Sequence, residues 1–387
     1  MARMHARWNW EWLAVWLLLG LAGCQAVGAA QSVGRKVNGL RETIGRGEDA
    51  ITVLYVWGKP YEMGYAHGVL ARQEIRTLYS SVIQDFAKDI GVAVKEFDAA
   101  YATMEPFISQ DYRQEMQGLA DGAKVDLRTV HRIHALGDLG EYHCSFVAAF
   151  GSAVDNNHLY QCRALDYAVG LGMEKYPAII VYRPNHGNIF AEVGWLGYIG
   201  CVSGMSAKQI AVSEIGQNYG PEHETLHGIP MPFLLRDVLR KTDNLADATK
   251  MIRGARRTSS YYYCVGDGET RRAHGFRTAM DFCEVFGDDV PTPDDPGWRK
   301  LKDVIYRTMN DAKAYAVLSK AWGHINQGTL IEMMAAVPTG NLHAVAYDVT
   351  TMKMWVANAA TGAKPAHHEN YVEFDLAAAV RKFPAAR

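Results

Sequence analysis

The stretch CSFVAAFGSAVDNNHLYQCRALDY, residues 144–167, decides the fold of the chain. Its first six residues are apolar or small and come directly after a helical pattern, so they predict the start of a β-strand. Gly, Asn and Asp separate them from a second apolar run, 159–165, which predicts the next strand. A hairpin of these two strands would return its far end to Cys144. The spacing therefore allows Cys144, Arg163 and Asp166 to cluster at one edge of a sheet.

Helical patterns dominate the sequence before Cys144. After a predicted strand at 51–57, apolar residues recur at three- and four-residue steps, a spacing typical of amphipathic helices. These helical patterns cover 61–90, 94–108, 111–121 and 125–142.

Strand patterns are more frequent after Cys144. Besides the opening hairpin, they cover 178–182, 189–193, 210–215, 260–265, 342–347 and 352–357; helical patterns cover 233–239, 245–252 and 300–336, and a loop covers 285–300. This order of helices, strands, helices and strands predicts an α+β fold, in which antiparallel hairpins form two sheets with helices outside.

The first residues of the chain are typical of an export signal. A positively charged start is followed by a short apolar run, 13–22, whereas crossing a membrane takes about 20 apolar residues. The sequence Leu-Ala-Gly-Cys that ends at Cys24 resembles the bacterial lipoprotein signal. We therefore expect 1–23 to be removed, Cys24 to carry lipid, and 24–48 to link this anchor to the domain. The protein would then be exported and tethered to the cell envelope, at the periplasmic face and with the outer membrane as one option; a plain secretory signal is the alternative.

The composition of the chain excludes several classes of function. The 387 residues carry a formal net charge of −2 without a long basic run, so nothing predicts binding to nucleic acid. Six cysteines occur, none in a Cys-x-x-Cys pair, and removal of Cys24 from the count leaves an odd number. At least one thiol therefore stays outside intramolecular disulfides. The histidines and carboxylates do not form a metal-binding pattern, and we expect no metal or other cofactor.

Four stretches, in this order, resemble one family of enzymes. They are 60–68 with its Gly and His residues, 144–146, the Arg-x-x-Asp-Tyr motif at 163–167, and the late strand at 340–348. Together they are similar to the cysteine N-terminal-nucleophile (Ntn) hydrolases of the acyl-coenzyme A:6-aminopenicillanic acid acyltransferase (peptidase C45) type. Acid ceramidase and bile salt hydrolase are related to that type. The resemblance covers about 50–375.

The resemblance implies a four-layer αββα sandwich and a chain that cuts itself between His143 and Cys144. It implies a mainly helical N-terminal part at 49–143 and a core at 144–387. Cleavage would give Cys144 an α-amino group with a pKa near 7.7–8, which can accept the proton of the thiol. Arg163 would then favour the thiolate, and Asp166 would hold the amino group. Alternatively, Arg163 and Asp166 form a structural ion pair.

Other residues are candidates for binding the substrate or its developing negative charge. Asn341 is the first candidate for the oxyanion donor, and Gln217 and Asn218 are alternatives because they follow the strand at 210–215. Glu214 is expected to line the pocket or to pair with an arginine, and His343 to bind substrate or to be a buried structural histidine. The sequence leaves two further assignments open. Core residues or a disulfide pair are the two options for Cys162, Cys201 and Cys264. Sheet core or a substrate-facing aromatic patch are the two options for Tyr261, Tyr262 and Tyr263.

The predicted activity is that of an amidase or acyltransferase. The Cys144 thiolate would attack an N-acyl amide, form a thioester and pass the acyl group to water or to an amine. A lipid-like acyl chain would suit an enzyme tethered to a membrane. Two alternatives remain: a lipid ester hydrolase of the phospholipase B-like type, and an envelope binding protein without catalysis. The oligomeric state is not predicted.

Overall fold

The computed structural model describes residues 36–139, 144–167, 169–289, 298–337, 339–359 and 364–384. The predicted signal peptide, Cys24 and His143 lie outside these ranges. The elements described below belong to one compact unit that begins at Val37.

The helices fall into an N-terminal group and a second group after the central strands. They are α1 (Pro60–Leu70), α2 (Arg72–Tyr79), α3 (Val82–Ile90), α4 (Val94–Met104), α5 (Gln110–Ala123), α6 (Leu127–Ala135), α7 (Met231–Lys241), α8 (Leu245–Gly254), α9 (Asp311–Lys320), α10 (Gln327–Ala336) and α11 (Leu376–Val380). Among the described residues, no helix combines the length and apolar character needed to cross a bilayer.

The strands form two sheets. They are β1 (Gly39–Ile44), β2 (Ile51–Gly58), β3 (Ser145–Ala149), β4 (Tyr160–Leu165), β5 (Pro177–Pro184), β6 (Phe190–Trp195), β7 (Ser203–Ser206), β8 (Ile210–Gly216), β9 (Tyr261–Asp267), β10 (Arg272–Thr278), β11 (Cys283–Phe286), β12 (Val304–Arg307), β13 (His343–Asp348), β14 (Lys353–Asn358) and β15 (Val372–Asp375). One sheet has nine strands in the order β1-β2-β5-β6-β7-β8-β9-β10-β11. The other has six in the order β12-β3-β4-β13-β14-β15.

The two sheets lie face to face between two layers of helix. β3 and β4 contact β8 and β9 across the interface, α7 and α8 pack on the nine-stranded sheet, and α9 and α10 pack on the six-stranded sheet. The apolar residues of the two inner faces form the larger core, and a second core lies under α9 and α10. This confirms the predicted α+β fold and its αββα layering.

Several strands differ from the prediction. Residues 300–336 were expected to be helical throughout, but β12 forms within them because Val304, Ile305 and Tyr306 are buried at the edge of the sheet and pair with β3. β1 lies within the segment predicted as a linker and pairs with β2. β2 and β5 are parallel, a pairing that the expected antiparallel hairpins do not include. Such pairings depend on distant parts of the chain rather than on local periodicity.

One buried arginine joins the N-terminal helices to the nine-stranded sheet. The Nη2 of Arg236 on α7 lies 2.8 and 3.0 Å from the two carboxylate oxygens of Glu115 on α5. Its Nε lies 3.3 Å from Glu192 on β6, and its guanidinium lies 4.2 Å from the ring centre of Tyr182 on β5. Burial raises the pKa of Glu192 to about 8. The cluster fixes α5 and α7 at a defined place on the sheet.

Helices α1 and α5 pack so closely that their backbones are in contact. Four glycines face each other there: Gly64 and Gly68 on α1, and Gly118 and Gly122 on α5. A Cβ atom at Gly118 would overlap the carbonyl oxygen of Tyr61 and come within 2.8 Å of a backbone nitrogen of α1. Small residues at four-residue steps therefore let these two helices approach more closely than larger side chains would allow.

We predict that Gly118→Ala destabilises the protein, because the added methyl group meets backbone that cannot yield. The free energy of unfolding should fall by about 1–3 kcal/mol or more, measured by denaturant unfolding. Gly254→Ala is the matched control, since a Cβ there meets no atom within 4 Å and alanine favours helix. Equal stability of the two variants would contradict the close packing of α1 and α5.

Candidate active site

Cys144 lies directly before β3 with only 2% of its surface exposed. β3 and β4 pair in antiparallel register, with Ser145 opposite Ala164 and Phe146 opposite Arg163. Since side chains alternate between the faces of a sheet, Cys144 and Arg163 share the face that meets the nine-stranded sheet. The hairpin expected from the sequence therefore does bring these two side chains together.

Arg163 contacts both the thiol and a carboxylate of the opposite sheet. Its Nη2 lies 3.4 Å from Cys144 Sγ and also donates to the Oε1 of Glu214 on β8. Its Nε donates to the backbone oxygen of Glu214 at 3.3 Å. Both Arg163 and Glu214 are buried, so this ion pair crosses the interface between the sheets. The two roles left open for Glu214 are thus both met, because it pairs with an arginine and lines a cavity.

His343 and Ser203 hold the other side of the guanidinium. Arg163 Nη1 lies 3.3 Å from His343 Nε2 and 3.3 Å from Ser203 Oγ, and these two atoms are 2.9 Å apart. Burial, assisted by the charge of Arg163, lowers the pKa of His343 well below its ordinary value. A neutral His343 can accept the N–H of Arg163. The structure therefore places His343 behind Arg163, and its predicted contact with substrate has no geometric support.

Asp166 and Asn341 join the end of β4 to the turn before β13. Asp166 Oδ1 accepts the backbone N–H groups of Gly340 and Asn341 at 2.8 and 2.9 Å. Asn341 Oδ1 accepts the backbone N–H of Tyr167 at 2.8 Å. Because this bond uses the acceptor atom of the Asn341 amide, the Nδ2 atom of the same group retains its N–H donors. Donors fixed in this way are what an oxyanion site requires.

Gln217 and Asn218, the alternative oxyanion donors, use their side-chain oxygens in local bonds to the backbone. Gln217 Oε1 accepts the backbone N–H of Asn218 at 2.9 Å, and Asn218 Oδ1 accepts that of Gly220 at 2.9 Å. Asn218 is exposed, and neither side chain lines the cavity described below. Asn341 does not line the cavity either, but of the three oxyanion candidates it alone contacts Asp166, next to the end of β4.

Cys144 lines an apolar cavity. Its wall comes from the N-terminal helices, from the nine-stranded sheet and from the end of β4. The lining residues are Leu78, Val82, Ile133, Leu136, Gly137, Cys144, Leu165, Tyr167, Met173, Trp195, Tyr198, Val202, Glu214, Gly216, Met231 and Tyr261. Ligand sites of enzymes typically have a mainly apolar wall with few polar groups, as this cavity does.

The environment of Cys144 keeps its thiol protonated. Burial raises the pKa of the thiol to about 12, although Arg163 and a backbone N–H of Asp166 oppose the rise. The thiolate is the nucleophilic form of cysteine. The thiol at this site therefore needs a base close to it before it can react at neutral pH.

The sequence left the roles of other cysteines and tyrosines open. All five cysteines of the described residues are free thiols, and Cys162, Cys201 and Cys264 are buried core residues rather than a disulfide. The three tyrosines of β9 are also buried, and Tyr261 in addition lines the cavity. Within the described ranges, no group of three or more His, Cys, Asp or Glu side chains could hold a metal ion.

The sequence missed the residues that form most of the cavity wall. Leu78 and Val82 belong to apolar helix faces, and such faces usually form core. Trp195 and Tyr198 lie in a glycine-rich stretch without periodicity. Nothing in the local pattern distinguishes these side chains from ordinary core residues, because the cavity forms only when distant segments meet.

Comparison with known proteins identifies amidases among the relatives of the chain. No protein-family model matches the sequence. The protein dcd1B of Dictyostelium discoideum is 28% identical over 388 residues, covering 88% of this chain and 77% of that protein. The N-acylethanolamine-hydrolyzing acid amidase of Mus musculus is 22% identical over 257 residues, covering 62% of this chain and 69% of that protein. The chain is related to the N-acylethanolamine acid amidases.

These relatives confirm the resemblance to the cysteine Ntn hydrolases. A solved structure, that of a Caenorhabditis elegans N-acylethanolamine-hydrolyzing acid amidase ortholog, aligns with a TM-score of 0.43 at 16% identity, covering 54% of this chain and 93% of that one. The roles of single residues in this chain stay predictions that the geometry described above supports.

We predict that Arg163→Met strongly destabilises the protein, because it leaves the carboxylate of Glu214 buried without its partner. The expected loss in the free energy of unfolding is about 3–5 kcal/mol, measured by denaturant unfolding. The double variant Arg163→Met/Glu214→Gln should regain much of this loss. Lys353→Met, which breaks an exposed pair with Glu373, is the control and should change stability little. A similarly small effect of Arg163→Met would contradict the importance of the buried pair.

Proposed function

We propose that this protein is an amide hydrolase that becomes active by cutting itself before Cys144 and then uses Cys144 as its nucleophile. The observation that carries the proposal is the position of the thiol. Cys144 lines an apolar cavity, and the Nη2 atom of Arg163 lies 3.4 Å from its sulfur. A nucleophile, a cation and a site for an apolar ligand thus meet at one place.

Self-cleavage would supply the base that the thiol needs. The sulfur attacks the carbonyl carbon of His143, the C–N bond to Cys144 breaks, and the nitrogen takes the proton of the thiol. Water then hydrolyses the resulting thioester, which leaves a carboxylate on His143 and an amino group beside the thiol. An α-amino group has a pKa of about 7.7–8, so it can accept a proton from the thiol at neutral pH.

The reaction with substrate follows the same chemistry. The thiolate attacks the acyl carbon of an amide, and Asn341 is our candidate for the donor that binds the negative oxygen. The C–N bond breaks, the α-ammonium group gives its proton to the leaving amine, and a thioester to Cys144 remains. Water, activated by the same amino group, releases the acid; an amine in place of water would make the step an acyl transfer.

The cavity favours an N-acyl amide with an apolar acyl group. Its wall is aliphatic and aromatic, and burial of each CH₂ of a ligand contributes about 0.8 kcal/mol. An acyl chain can therefore be bound along the wall while its carbonyl carbon reaches Cys144. The names of the related acid amidases, which refer to N-acylethanolamines, agree with this class of substrate.

We predict that the mature wild-type protein consists of two fragments, one of which begins at Cys144, whereas Cys144→Ala gives one uncut chain. Intact mass and N-terminal sequencing measure this outcome. Cys264→Ala is the matched control, because Cys264 is equally buried but does not line the cavity, and its chain should still be cut. An intact peptide bond before Cys144 in the active wild-type protein would refute the mechanism.

Turnover by the same variants separates the alternatives. Wild type and Cys264→Ala should release acid from long-chain N-acyl amides, and Cys144→Ala should not. Faster hydrolysis of matched lipid esters than of amides would favour an ester hydrolase. Tight binding of both substrates without turnover by the wild type would favour a binding protein.

We also propose, from the sequence alone, that Cys24 carries the lipid that tethers the enzyme to the cell envelope. Cys24→Ala should then move the protein from the membrane fraction to the soluble fraction, with wild type as the control, because the acyl chains would be lost. Fractionation of the cells, followed by blotting for the protein in each fraction, measures this outcome. A soluble wild type would instead favour the plain secretory signal.

A further inference from the structure

One short segment presents two aromatic rings to the cavity. This segment, residues 195–200, is called the wall loop; it begins at the last residue of β6 and leads towards β7. It contains Trp195 and Tyr198, both of which line the cavity. Their rings stack with centres 5.0 Å apart. The position of the wall loop therefore sets the shape of one side of the cavity.

Side chains from other elements bind the backbone of the wall loop at two residues. The N–H of Gly197 donates to His67 Nε2 at 2.9 Å, and its carbonyl accepts the hydroxyl of Tyr79. The N–H of Ile199 donates to His134 Nε2 at 3.1 Å, and its carbonyl accepts Arg236 Nη1. All four polar backbone groups of these two residues thus have side-chain partners, as buried backbone groups require.

The other contacts that fix the wall loop lie mainly at its start, where Trp195 ends β6 and pairs with Pro177 of β5. Gly197 adopts a left-handed backbone conformation with φ +89°, which glycine reaches without strain. Leu196 N–H bonds to the carbonyl of Tyr176 at 3.0 Å, and Tyr198 N–H bonds more weakly within the loop at 3.4 Å. Glycine restricts the backbone less than any other residue, so the side-chain anchors hold the conformation.

The two histidines can serve only as neutral acceptors. His134 donates its Nδ1–H to the carbonyl of Val130 at 2.7 Å, which leaves Nε2 as the acceptor for the wall loop. Burial, with a contribution from Arg236, lowers the pKa of both His67 and His134 to about 3. In a protonated ring, Nε2 would carry a hydrogen that points at the backbone N–H of the wall loop, so two donors would face each other and the hydrogen bond would be lost.

We propose that His67, Tyr79 and His134 are positioning residues that set the acyl-chain selectivity of the enzyme by holding Trp195 and Tyr198 in the cavity wall. All three lie before Cys144 in the chain, on α1, α2 and α6. They do not line the cavity; all three bind the backbone of the wall loop, and the ring of His134 also stacks on that of Tyr198 with centres 5.1 Å apart. The inference rests on the proposed function, in which the cavity binds the acyl group.

The first test uses Tyr79→Phe, which removes one hydroxyl and keeps the ring. With a series of N-acyl amides of increasing chain length, KM for the long-chain members should rise about three- to tenfold, the effect of one lost hydrogen bond. The kcat values and the KM for a short acyl group should change less than about twofold, because the reacting atoms are untouched.

Tyr306→Phe is the matched control. Its hydroxyl also donates to a backbone carbonyl, that of Arg299 at 2.6 Å, but Tyr306 belongs to the core on the other side of the six-stranded sheet. This variant should keep the chain-length profile of the wild type. A uniform loss of activity over all chain lengths in Tyr79→Phe would assign Tyr79 a merely structural role and overturn the proposal.

A pair of variants at His134 tests the acceptor. His134→Gln retains an acceptor atom at about the position of Nε2, whereas His134→Leu has none. The leucine variant should shift the chain-length profile, and the glutamine variant should restore it to within about threefold of wild type. Equal profiles of the two variants would overturn the proposal, and thermal unfolding checks that both are folded.

Binding of dodecanoate separates this inference from the proposed function. In a Cys144→Ala background, calorimetry should show that Tyr79→Phe weakens dodecanoate binding about three- to tenfold and that Tyr306→Phe does not. If wild type lacks amide turnover but this difference is found, the proposed function fails and the role of the wall loop stands. If turnover depends on Cys144 but binding and KM are unchanged, the inference fails alone.

Discussion

The ion pair between Arg163 and Glu214 is the constraint on which the site depends. It lies in the interface of two sheets, where both groups have lost their water, and removal of a charge from water costs several kcal/mol unless a partner compensates it. The guanidinium meets this requirement with Glu214 on one side and with His343 and Ser203 on the other. Since the same group contacts Cys144, the register of the sheets also fixes the place of the sulfur.

The apolar surroundings of Cys144 have two opposite effects. They suit an acyl chain, yet they disfavour the thiolate, because a charge in an apolar cavity is poorly solvated. The α-amino group that the proposed self-cleavage would give Cys144 would resolve this conflict without a further buried ionisable side chain.

How much the sequence predicts depends on the distance along the chain over which residues interact. The approach of Arg163 to Cys144 follows from one hairpin, so its spacing was sufficient to predict it. Asn341 beside Asp166 came from the resemblance to a family, since 175 residues separate the two in sequence. The place of His343 behind Arg163 could not be foreseen, because it depends on which face of β13 meets the opposite sheet.

The secondary structure, too, could be predicted from the sequence only where it depends on local residues. Long helices and the strands of the central hairpins have clear periodicity, but β12 has only four residues and owes its conformation to β3. The cavity wall is the extreme case, since it combines side chains from helices that precede Cys144 with the glycine-rich wall loop. No local pattern marks a residue as lining a cavity rather than filling a core.

The parallel pairing of β2 with β5 has a consequence for a cut chain. β2 precedes Cys144 and β5 follows it, and seven residue pairs join them within the nine-stranded sheet. A nick between His143 and Cys144 would leave two polypeptides interwoven in a single β-structure. Their hydrodynamic size would then equal that of the uncut molecule, they would melt in one cooperative transition, and only a denaturant would separate them.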